Sequence, residues 1–210
     1  MIPSKTIEEN ILILEELLEK LDANDLTLNM QKCEFIKPTI QYLGYTVSKK
    51  GIQPGEKGRK AVGEFPVPTN VHTLRQFLGM TGYFHKFIEN YAKITAPLTE
   101  LVRKDQEWNW TPRCEEAIKI LKERLMNEPI LKTIKPGNLT ALHTDASHIG
   151  IAAILMQQQD GQMVVSEYYS RRINVHENNY HSYDLEALAV VEGIEHFKYY
   201  LTGTKFLIYI

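Results

Sequence analysis

Two carboxylates in the second half of the chain have positions at which they could bind a divalent cation. Residues 141–150 read ALHTDASHIG, which predicts a strand that reaches Asp145 shortly before a turn. An unpaired carboxylate on or beside a sheet is costly unless it meets a cation or hydrogen-bond donors. Asp145 is therefore either a turn residue at the end of a strand or a metal ligand.

The second carboxylate, Glu186, lies on or at the edge of the apolar face of a predicted helix. Val190, Ile194 and Phe197 recur at helical spacing, and a step of four residues back from Val190 reaches Glu186. Mg²⁺ prefers oxygen ligands, and two such ions about 4 Å apart can promote phosphodiester hydrolysis. The structural alternative is an acid in the first helical turn, which the helix dipole favours.

The composition indicates the class of protein but does not test these candidate residues. The chain has 210 residues, of which 43% are hydrophobic and 24% charged, as expected for a soluble protein of one large or two small domains. No apolar run approaches the roughly 18 residues of a membrane span, and the first residues lack a signal-peptide pattern. We therefore expect an intracellular protein, in a cytoplasmic particle or the nucleus, with no membrane partner. A net charge of −2 leaves a nucleic-acid partner open.

The two cysteines, Cys33 and Cys114, are far apart and show no metal-binding spacing. We expect reduced, partly buried thiols.

The first ninety residues predict helices separated by strands. A helix over 6–23 has a capping box at Thr6 and Glu9, and strands are expected in TLNMQKCEF and in TIQYLGYTVSKKGIQP, the latter as a hairpin. An irregular stretch with three prolines follows from Pro54. A further helix over 71–90 can be capped by Thr69 or Asn70.

The rest of the chain predicts a connecting helix and then a mixed sheet. The helix begins at Thr111-Pro112 and ends before Pro129. Three strands, LTALHTD, GIAAILMQQ and MVVSEYYS, form a meander with a turn at Asp160-Gly161, and a helix from about Tyr183 to Tyr200 leads to a fourth strand, TKFLIYI. The fold class is α/β (α+β).

The ordered series TDAS, a glycine, an apolar strand ending in glutamine, YYSR and DLEALAVV resembles the ribonuclease H domain of reverse transcriptases from gypsy-class long-terminal-repeat retrotransposons. The resemblance implies four catalytic acids that bind Mg²⁺, with Mn²⁺ as an alternative. The first matches Asp145 and the second Glu186, so both are predicted catalytic residues and metal ligands. The third is expected shortly after FLIYI and the fourth further on, beyond Ile210.

The resemblance extends to the predicted hairpin. YLGYTVSKKGIQP is similar to the primer grip, which holds the end of the growing strand. This implies that Leu43, Gly44 and Tyr45 contact nucleic acid.

The following helix, LRQFLGMTGYFHKFI, resembles the thumb helix that follows the minor groove of the template–primer duplex. The predicted nucleic-acid contacts on one helical face are Arg75, Gly79, Tyr83 and Lys86. Residues 75–104 hold five basic and two acidic side chains, a local charge of +3. The family usually has arginine at the position of His85, so one basic contact is expected to be weaker or pH-dependent here.

The resemblance implies four parts. They are the end of a polymerase palm with the primer grip (1–53), a thumb (54–105), a connector (106–137) and a truncated ribonuclease H-like domain (138–210). The polymerase Tyr-x-Asp-Asp turn would lie just before Met1. We therefore expect the chain alone to be inactive, although the parent protein would copy RNA into DNA and cleave RNA in RNA–DNA hybrids.

The expected partner is an RNA–DNA hybrid or a template–primer duplex, together with the remainder of the polyprotein or a dimer partner. The leading alternative is a non-catalytic nucleic-acid-binding or interaction protein derived from a retroelement. A third hypothesis is that the same fold has an unrelated function such as nucleotide binding. The sequence does not support it, because it contains no glycine-rich phosphate loop.

Overall fold

The computed structural model describes residues 2–127 and 129–210. The chain forms two compact units, one ending at Ile40 and the other running from Gln41 to Ile210. No helix within these described residues is long and apolar enough to cross a membrane. Cys33 and Cys114 are both free thiols, and Cys114 is buried, as the sequence predicts.

The first unit is built around helix α1 (Ile7–Asp22), which confirms the predicted helix. The Thr6 hydroxyl accepts a hydrogen bond from the Glu9 N–H at 3.1 Å. The Glu9 carboxylate accepts from the Lys5 N–H at 2.7 Å, one residue before the partner that a capping box would use. None of the residues of α1 is buried, and its apolar residues are either exposed or partly exposed.

The predicted strand in TLNMQKCEF is wrong. The segment contains a 3₁₀ turn at Met30–Lys32, and the Asn29 side chain accepts a hydrogen bond from the Gln31 N–H at 3.1 Å. Asparagine offers the backbone such a local alternative to a sheet, which overrides the apolar residues of this stretch.

The hairpin of the primer-grip resemblance is present as a three-stranded sheet. Its strands are β1 (Thr39–Tyr42), β2 (Tyr45–Ser48) and β3 (Gly51–Pro54), in that order. The turn between β1 and β2 is Leu43-Gly44, with φ of 45° and 72°. Two successive left-handed residues give a turn that matches the strand twist, although leucine at positive φ is uncommon.

Four helices follow: α2 (Glu56–Gly63), α3 (Val71–Tyr83), α4 (Tyr91–Leu101) and α5 (Pro112–Met126). They share a core that includes Val62, Leu74, Phe77, Phe84, Leu98, Leu121 and Leu125. The stretch around α2 was expected to be irregular, but Gly58 lets this helix pack against the Phe84 ring, which lies 2.5 Å from the place of a Cβ atom.

Helix α3 begins as predicted and ends earlier. Asn70 caps it in a capping box with Thr73, which decides between the two expected caps. The helix stops at Tyr83 rather than Asn90, because Phe84 leaves the helical conformation and a 3₁₀ turn follows at His85–Phe87. The His85 ring nitrogen Nδ1 lies 2.7 Å from the Gly82 carbonyl oxygen, at this helix end.

The last part of the chain forms the predicted mixed sheet. Its strands are β4 (Thr140–Ala146), β5 (Gly150–Gln159), β6 (Gln162–Arg172) and β7 (Phe206–Tyr209), in the order β6-β5-β4-β7. The first three are antiparallel neighbours, and β7 is parallel to β4. Helices α6 (Ser182–His196) and α7 (Lys198–Leu201) precede β7.

Helix α6 packs on one face of this sheet. A Cβ atom at Gly193 would lie 3.0 Å from the Ala153 Cβ and 3.4 Å from a methyl group of Leu142, so a larger residue here would force these neighbours to shift. Helix α7 and a short turn return the chain to β7, which runs parallel to β4. Helix α6 therefore runs opposite to β4.

Candidate nucleic-acid interface and carboxylate site

The hairpin turn contacts the end of helix α3. The Tyr83 hydroxyl donates a hydrogen bond to the Leu43 carbonyl. A Cβ atom at Gly44 would lie 3.2 Å from the Tyr83 ring, and its φ is in the left-handed region, so this position needs glycine for both reasons. The structure thus brings two separate predicted contact segments together.

Aromatic and cationic side chains complete this contact. The Tyr45 and Tyr83 rings stack with centroids 5.2 Å apart and planes 10° apart. The Lys86 ammonium lies 4.1 Å from the centroid of the Tyr45 ring, a cation–π distance. The Tyr45 hydroxyl donates to the Tyr83 carbonyl at 3.3 Å. We call Leu43, Gly44, Tyr45, Tyr83 and Lys86 the Tyr45 cluster.

Burial changes the proton equilibria of this cluster. Burial, followed by the hydrogen bond to Tyr83, raises the pKa of Tyr45 to about 12, so this phenol stays protonated and neutral at physiological pH. Burial lowers the pKa of Lys86, and the charge of Glu167 opposes that change. The cluster therefore offers a neutral, stacked aromatic surface with one half-buried amine beside it.

Arg75 and Gly79 continue the exposed side of helix α3 away from the cluster. Arg75, Gly79 and Tyr83 are exposed at four-residue steps, while Leu74 and Phe77 are buried. By helix geometry the exposed side spans about 12 Å. A guanidinium nitrogen of Arg75 donates to the Val102 carbonyl at 3.2 Å.

Gly79 faces open space. An added Cβ atom would meet nothing within 4 Å, so contacts inside the protein do not explain this glycine.

The basic character of this region is increased by an ion pair. Glu100, one of the two acids between residues 75 and 104, accepts a hydrogen bond from Arg172 of strand β6 at 2.9 Å. A neighbouring bond links the Ala92 N–H to the Ser170 hydroxyl at 3.0 Å. These contacts fix helix α4 to strand β6 and leave fewer unpaired acids beside Arg75 and Lys86.

Asp145 is exposed near the end of strand β4, opposite Ala152 of β5. Side chains alternate along a strand, and the β4–β5 register is regular here, so Asp145 points to the opposite sheet face from Leu142. Leu142 is the residue that meets helix α6. Asp145 thus lies on the sheet face away from this helix.

Glu186 lies in the second turn of α6, because the helix begins at Ser182. The expected first-turn position is therefore wrong, and Asp184 is the first-turn acid that the helix dipole stabilises. The Glu186 Oε2 atom is buried and has no hydrogen-bond partner among residues 2–127 and 129–210. A buried, unpartnered carboxylate oxygen is costly, so this position lacks a simple structural explanation.

The two carboxylates lie toward the same end of strand β4. Gly193 of α6 lies against Leu142 of β4. Measured from this contact, Glu186 is seven residues away along the helix and Asp145 is three residues away along the strand. Because α6 runs opposite to β4, both distances, each about 10 Å, lead toward the same end of β4. At that end, Glu186 lies on the sheet face that helix α6 covers, and Asp145 lies on the other face. Within the described part of the chain, no group of three His, Cys, Asp or Glu side chains could hold a metal ion.

An ion-pair network that the sequence did not reveal holds helix α6 to the sheet. The Arg171 guanidinium makes two bonds to Glu177, at 2.8 and 3.0 Å, and one to Glu192 of α6 at 2.9 Å. The Tyr169 hydroxyl also donates to Glu192, at 3.1 Å. Hydrogen bonds from Arg171 lower the pKa of Glu177 and of Glu192. We call Arg171, Glu177 and Glu192 the Arg171 network.

The sequence held only a weak signal for this network. Arg171 and Glu177 lie in the polar stretch RRINVHENNYHS, which predicts a loop. Glu177 is only 7% exposed, which polarity alone did not suggest.

The chain is similar to known proteins in both sequence and fold. Residues 110–208 match the family model of an RNase H-like domain found in reverse transcriptase. The match includes Asp145, Glu186 and the Arg171 network. The predicted similarity to the RNase H-like domain of reverse transcriptases is thus confirmed for residues 110–208. The match begins inside the predicted connector (106–137), so the bounds of the predicted parts stay predictions.

The chain is also similar to retrotransposon polyproteins. The Transposon Tf2-3 and Tf2-4 polyproteins of Schizosaccharomyces pombe (strain 972 / ATCC 24843) are each 34% identical over 205 residues, or 97% of this chain. The chain spans about 15% of the length of these relatives. The finer assignment to the gypsy class stays a prediction.

Two solved structures share the fold. The foamy viral protease-reverse transcriptase in complex with RNA/DNA hybrid has a TM-score of 0.81 at 15% identity, covering 98% of this chain and 28% of that one. The dRH form in complex with double-stranded DNA has the same TM-score and identity, with 36% of its chain covered. These likenesses extend through the Tyr45 cluster and confirm the predicted α/β fold.

Proposed function

We propose that this chain is the duplex-binding and RNase H-like part of a gypsy-class retrotransposon reverse transcriptase. The parent activity would be RNA-directed DNA synthesis with Mg²⁺-dependent cleavage of RNA in RNA–DNA hybrids. The single observation that carries the proposal is the Tyr45 cluster, because it joins the hairpin turn to the end of helix α3. Its partner would be an RNA–DNA hybrid or a template–primer duplex.

The surface suits a duplex backbone. Arg75 and Lys86 supply cationic groups that can contact phosphates without regard to sequence. Open space at Gly79 allows a sugar–phosphate backbone to approach helix α3 closely. The stacked Tyr45 and Tyr83 rings offer a flat surface for a sugar or base. Together these groups would position a duplex across helix α3 and the hairpin.

The carboxylate pair, Asp145 and Glu186, fits a divalent cation in its donor chemistry. Both side chains offer oxygen ligands, and the Glu186 Oε2 atom has no partner in the described part of the chain. Bound there, Mg²⁺ or Mn²⁺ would supply Lewis-acid activation of the attacked phosphate and of the water. The part of Asp145 and Glu186 would be to hold the cation where the RNA strand passes, and the Arg171 network would keep α6 in place.

A second candidate is a non-catalytic binding protein derived from a retroelement. The observation that favours it is that every contact of the Tyr45 cluster forms without Asp145 or Glu186. Duplex binding could therefore persist in the absence of cleavage. The remainder of a polyprotein or a second copy would be its protein partner.

One experiment separates the two candidates. The folded chain is incubated with a labelled RNA–DNA hybrid and Mg²⁺, and cleavage is measured together with binding at two salt concentrations. Asp145→Asn tests the carboxylate, and Asp160→Asn at the exposed turn between β5 and β6 is the matched control. Cleavage lost only in Asp145→Asn supports the catalytic proposal. Salt-sensitive binding without cleavage supports duplex binding, which both candidates share, and absence of both contradicts each candidate.

A further inference from the structure

An exposed pair of rings lies at the start of helix α6. Tyr183 is 80% exposed, and the His181 ring stacks on it with centroids 5.5 Å apart and planes 12° apart. At the start of this helix the Asp184 carboxylate accepts a hydrogen bond from the His181 N–H at 3.3 Å. The two stacked rings thus form an aromatic surface that is presented to solvent and contributes little to packing.

The ring pair is a neighbour of the carboxylate pair. Tyr183 precedes Glu186 by three residues, so their side chains share one face of α6, with Cβ atoms about 5–6 Å apart. The Arg171 network fixes the loop before the helix through the buried Glu177. The exposed rings therefore lie beside Glu186 on a helix whose preceding loop is fixed, which lowers the entropy lost when a ligand is bound.

We propose that the His181–Tyr183 ring pair packs against the sugar and base edge of the nucleic-acid strand that lies across Asp145 and Glu186. This inference rests on the proposed function and adds a contact of a different kind. The neighbouring acids on this helix, Asp184 and Glu186, do not attract phosphate unless a cation is bound. Aromatic packing needs no charge, and the shallow minor groove of an RNA-containing duplex exposes its sugars to such rings.

The test is the equilibrium affinity for a short labelled RNA–DNA hybrid, measured by fluorescence anisotropy with Ca²⁺ in place of Mg²⁺ and with the hybrid checked for integrity afterwards. Tyr183→Ala should weaken binding about tenfold, whereas Tyr183→Phe, which keeps the ring, should stay within about twofold. Tyr199→Ala is the matched control, because Tyr199 is 88% exposed on α7. It should leave the affinity unchanged.

The salt dependence adds a second readout. The loss caused by Tyr183→Ala should be the same factor at low and high salt, since the ring releases no counterions. Arg75→Ala should instead reduce the salt dependence itself. Thermal melting of each variant verifies folding, and Tyr183→Phe provides a variant that retains the ring's packing.

Each other outcome is decisive. If Tyr183→Ala binds as tightly as the unchanged chain while Arg75→Ala binds more weakly, the ring-pair inference is overturned and the proposed function stands. Equal losses for Tyr183→Ala and Tyr199→Ala overturn it as well, because the contact would not be specific to this position. If the unchanged chain fails to bind the hybrid at either salt concentration, the proposed function and the inference both fail.

Discussion

The Tyr45 cluster and the carboxylate pair differ in how many of their polar and aromatic groups have partners within the protein. In the cluster, ring stacking, a cation–π contact and two hydrogen bonds to backbone carbonyls engage its aromatic and basic groups. In the pair, Asp145 is exposed, and the Glu186 Oε2 atom has no partner among residues 2–127 and 129–210. The cluster is thus a preformed surface, whereas the pair is an arrangement that a bound cation would stabilise.

The largest expected effect is on the support of the carboxylate pair. Arg171→Ala would leave the mostly buried Glu177 and the half-buried Glu192 without their cation. We expect a loss of about 2–3 kcal/mol in unfolding free energy, after allowance for partial exposure. Chemical denaturation measures it. Arg172→Ala is the matched control, because both arginine side chains are 27% exposed but Arg172 pairs with the more exposed Glu100. An equal loss in both variants would contradict the special role of the Arg171 network.

The pH dependence of that loss has a definite sign. Arg171 lowers the pKa of Glu177 and Glu192 below their ordinary value of 4.5. The stability that depends on this pairing is therefore present above pH 4.5 and is lost as pH falls through the lowered values. The stability difference between the unchanged chain and Arg171→Ala should shrink below pH 4.5.

Tyr83→Ala tests the statement that the Tyr45 cluster is held by its own contacts. The substitution removes the stack on Tyr45 and the hydrogen bond to the Leu43 carbonyl, so we expect a loss of about 2 kcal/mol in unfolding free energy. Tyr83→Phe removes only the hydrogen bond and should lose about 1 kcal/mol. Both are measured by chemical denaturation. Unchanged stability of Tyr83→Ala would show that the turn does not depend on helix α3.

Glu186→Gln should stabilise the protein, whereas Arg171→Ala and Tyr83→Ala should destabilise it. Removal of a charge with an unpartnered buried oxygen should raise the unfolding free energy by about 1 kcal/mol in the absence of divalent cations. The same variant should lose the thermal stabilisation that Mg²⁺ gives to the unchanged chain. Glu195→Gln, at an exposed residue of the same helix, is the control and should retain that stabilisation. A Mg²⁺ response preserved in Glu186→Gln would remove Glu186 from the cation site.

The smallest expected effect is at Gly79. Gly79→Ala should stabilise helix α3 by about 0.5–1 kcal/mol, because alanine favours helices and the added methyl group meets nothing. It should also weaken binding of the hybrid if the duplex backbone approaches this glycine. Gly58→Ala is the contrast, since its Cβ atom would clash with the Phe84 ring and lower stability. Melting curves and hybrid titrations check both variants.

Local patterns allowed much of the fold to be predicted from the sequence. The caps at Thr6 and Asn70, the Pro112 helix start and the Asp160-Gly161 turn act within a few residues, and the corresponding elements are present. The predictions that failed have both local and distant causes. The Asn29 side chain favours a local turn in place of the strand expected in TLNMQKCEF. Helix α2 forms where Gly58 meets Phe84, and helix α3 stops at Tyr83.

In the candidate site, too, residue types could be predicted from the sequence, but contacts between distant residues could not. Residue type and spacing made Asp145 and Glu186 candidates, and the resemblance predicted their role and indicated Tyr45, Tyr83 and Lys86 one by one. The Tyr83 bond to the Leu43 carbonyl joins residues 40 positions apart, so no local pattern could predict it. The Arg171 network and the unpartnered Glu186 oxygen likewise depend on how α6 packs against the sheet.

The salt dependence of hybrid binding tests most directly whether a duplex binds at the helix α3 surface. The affinity of the double variant Arg75→Ala, Lys86→Ala is measured over a range of salt concentrations, with Arg113→Ala on helix α5 as control. We expect the double variant to bind more weakly and its salt slope to fall by about 2, while the control keeps the original slope. An unchanged affinity and slope in the double variant would contradict duplex binding at this surface.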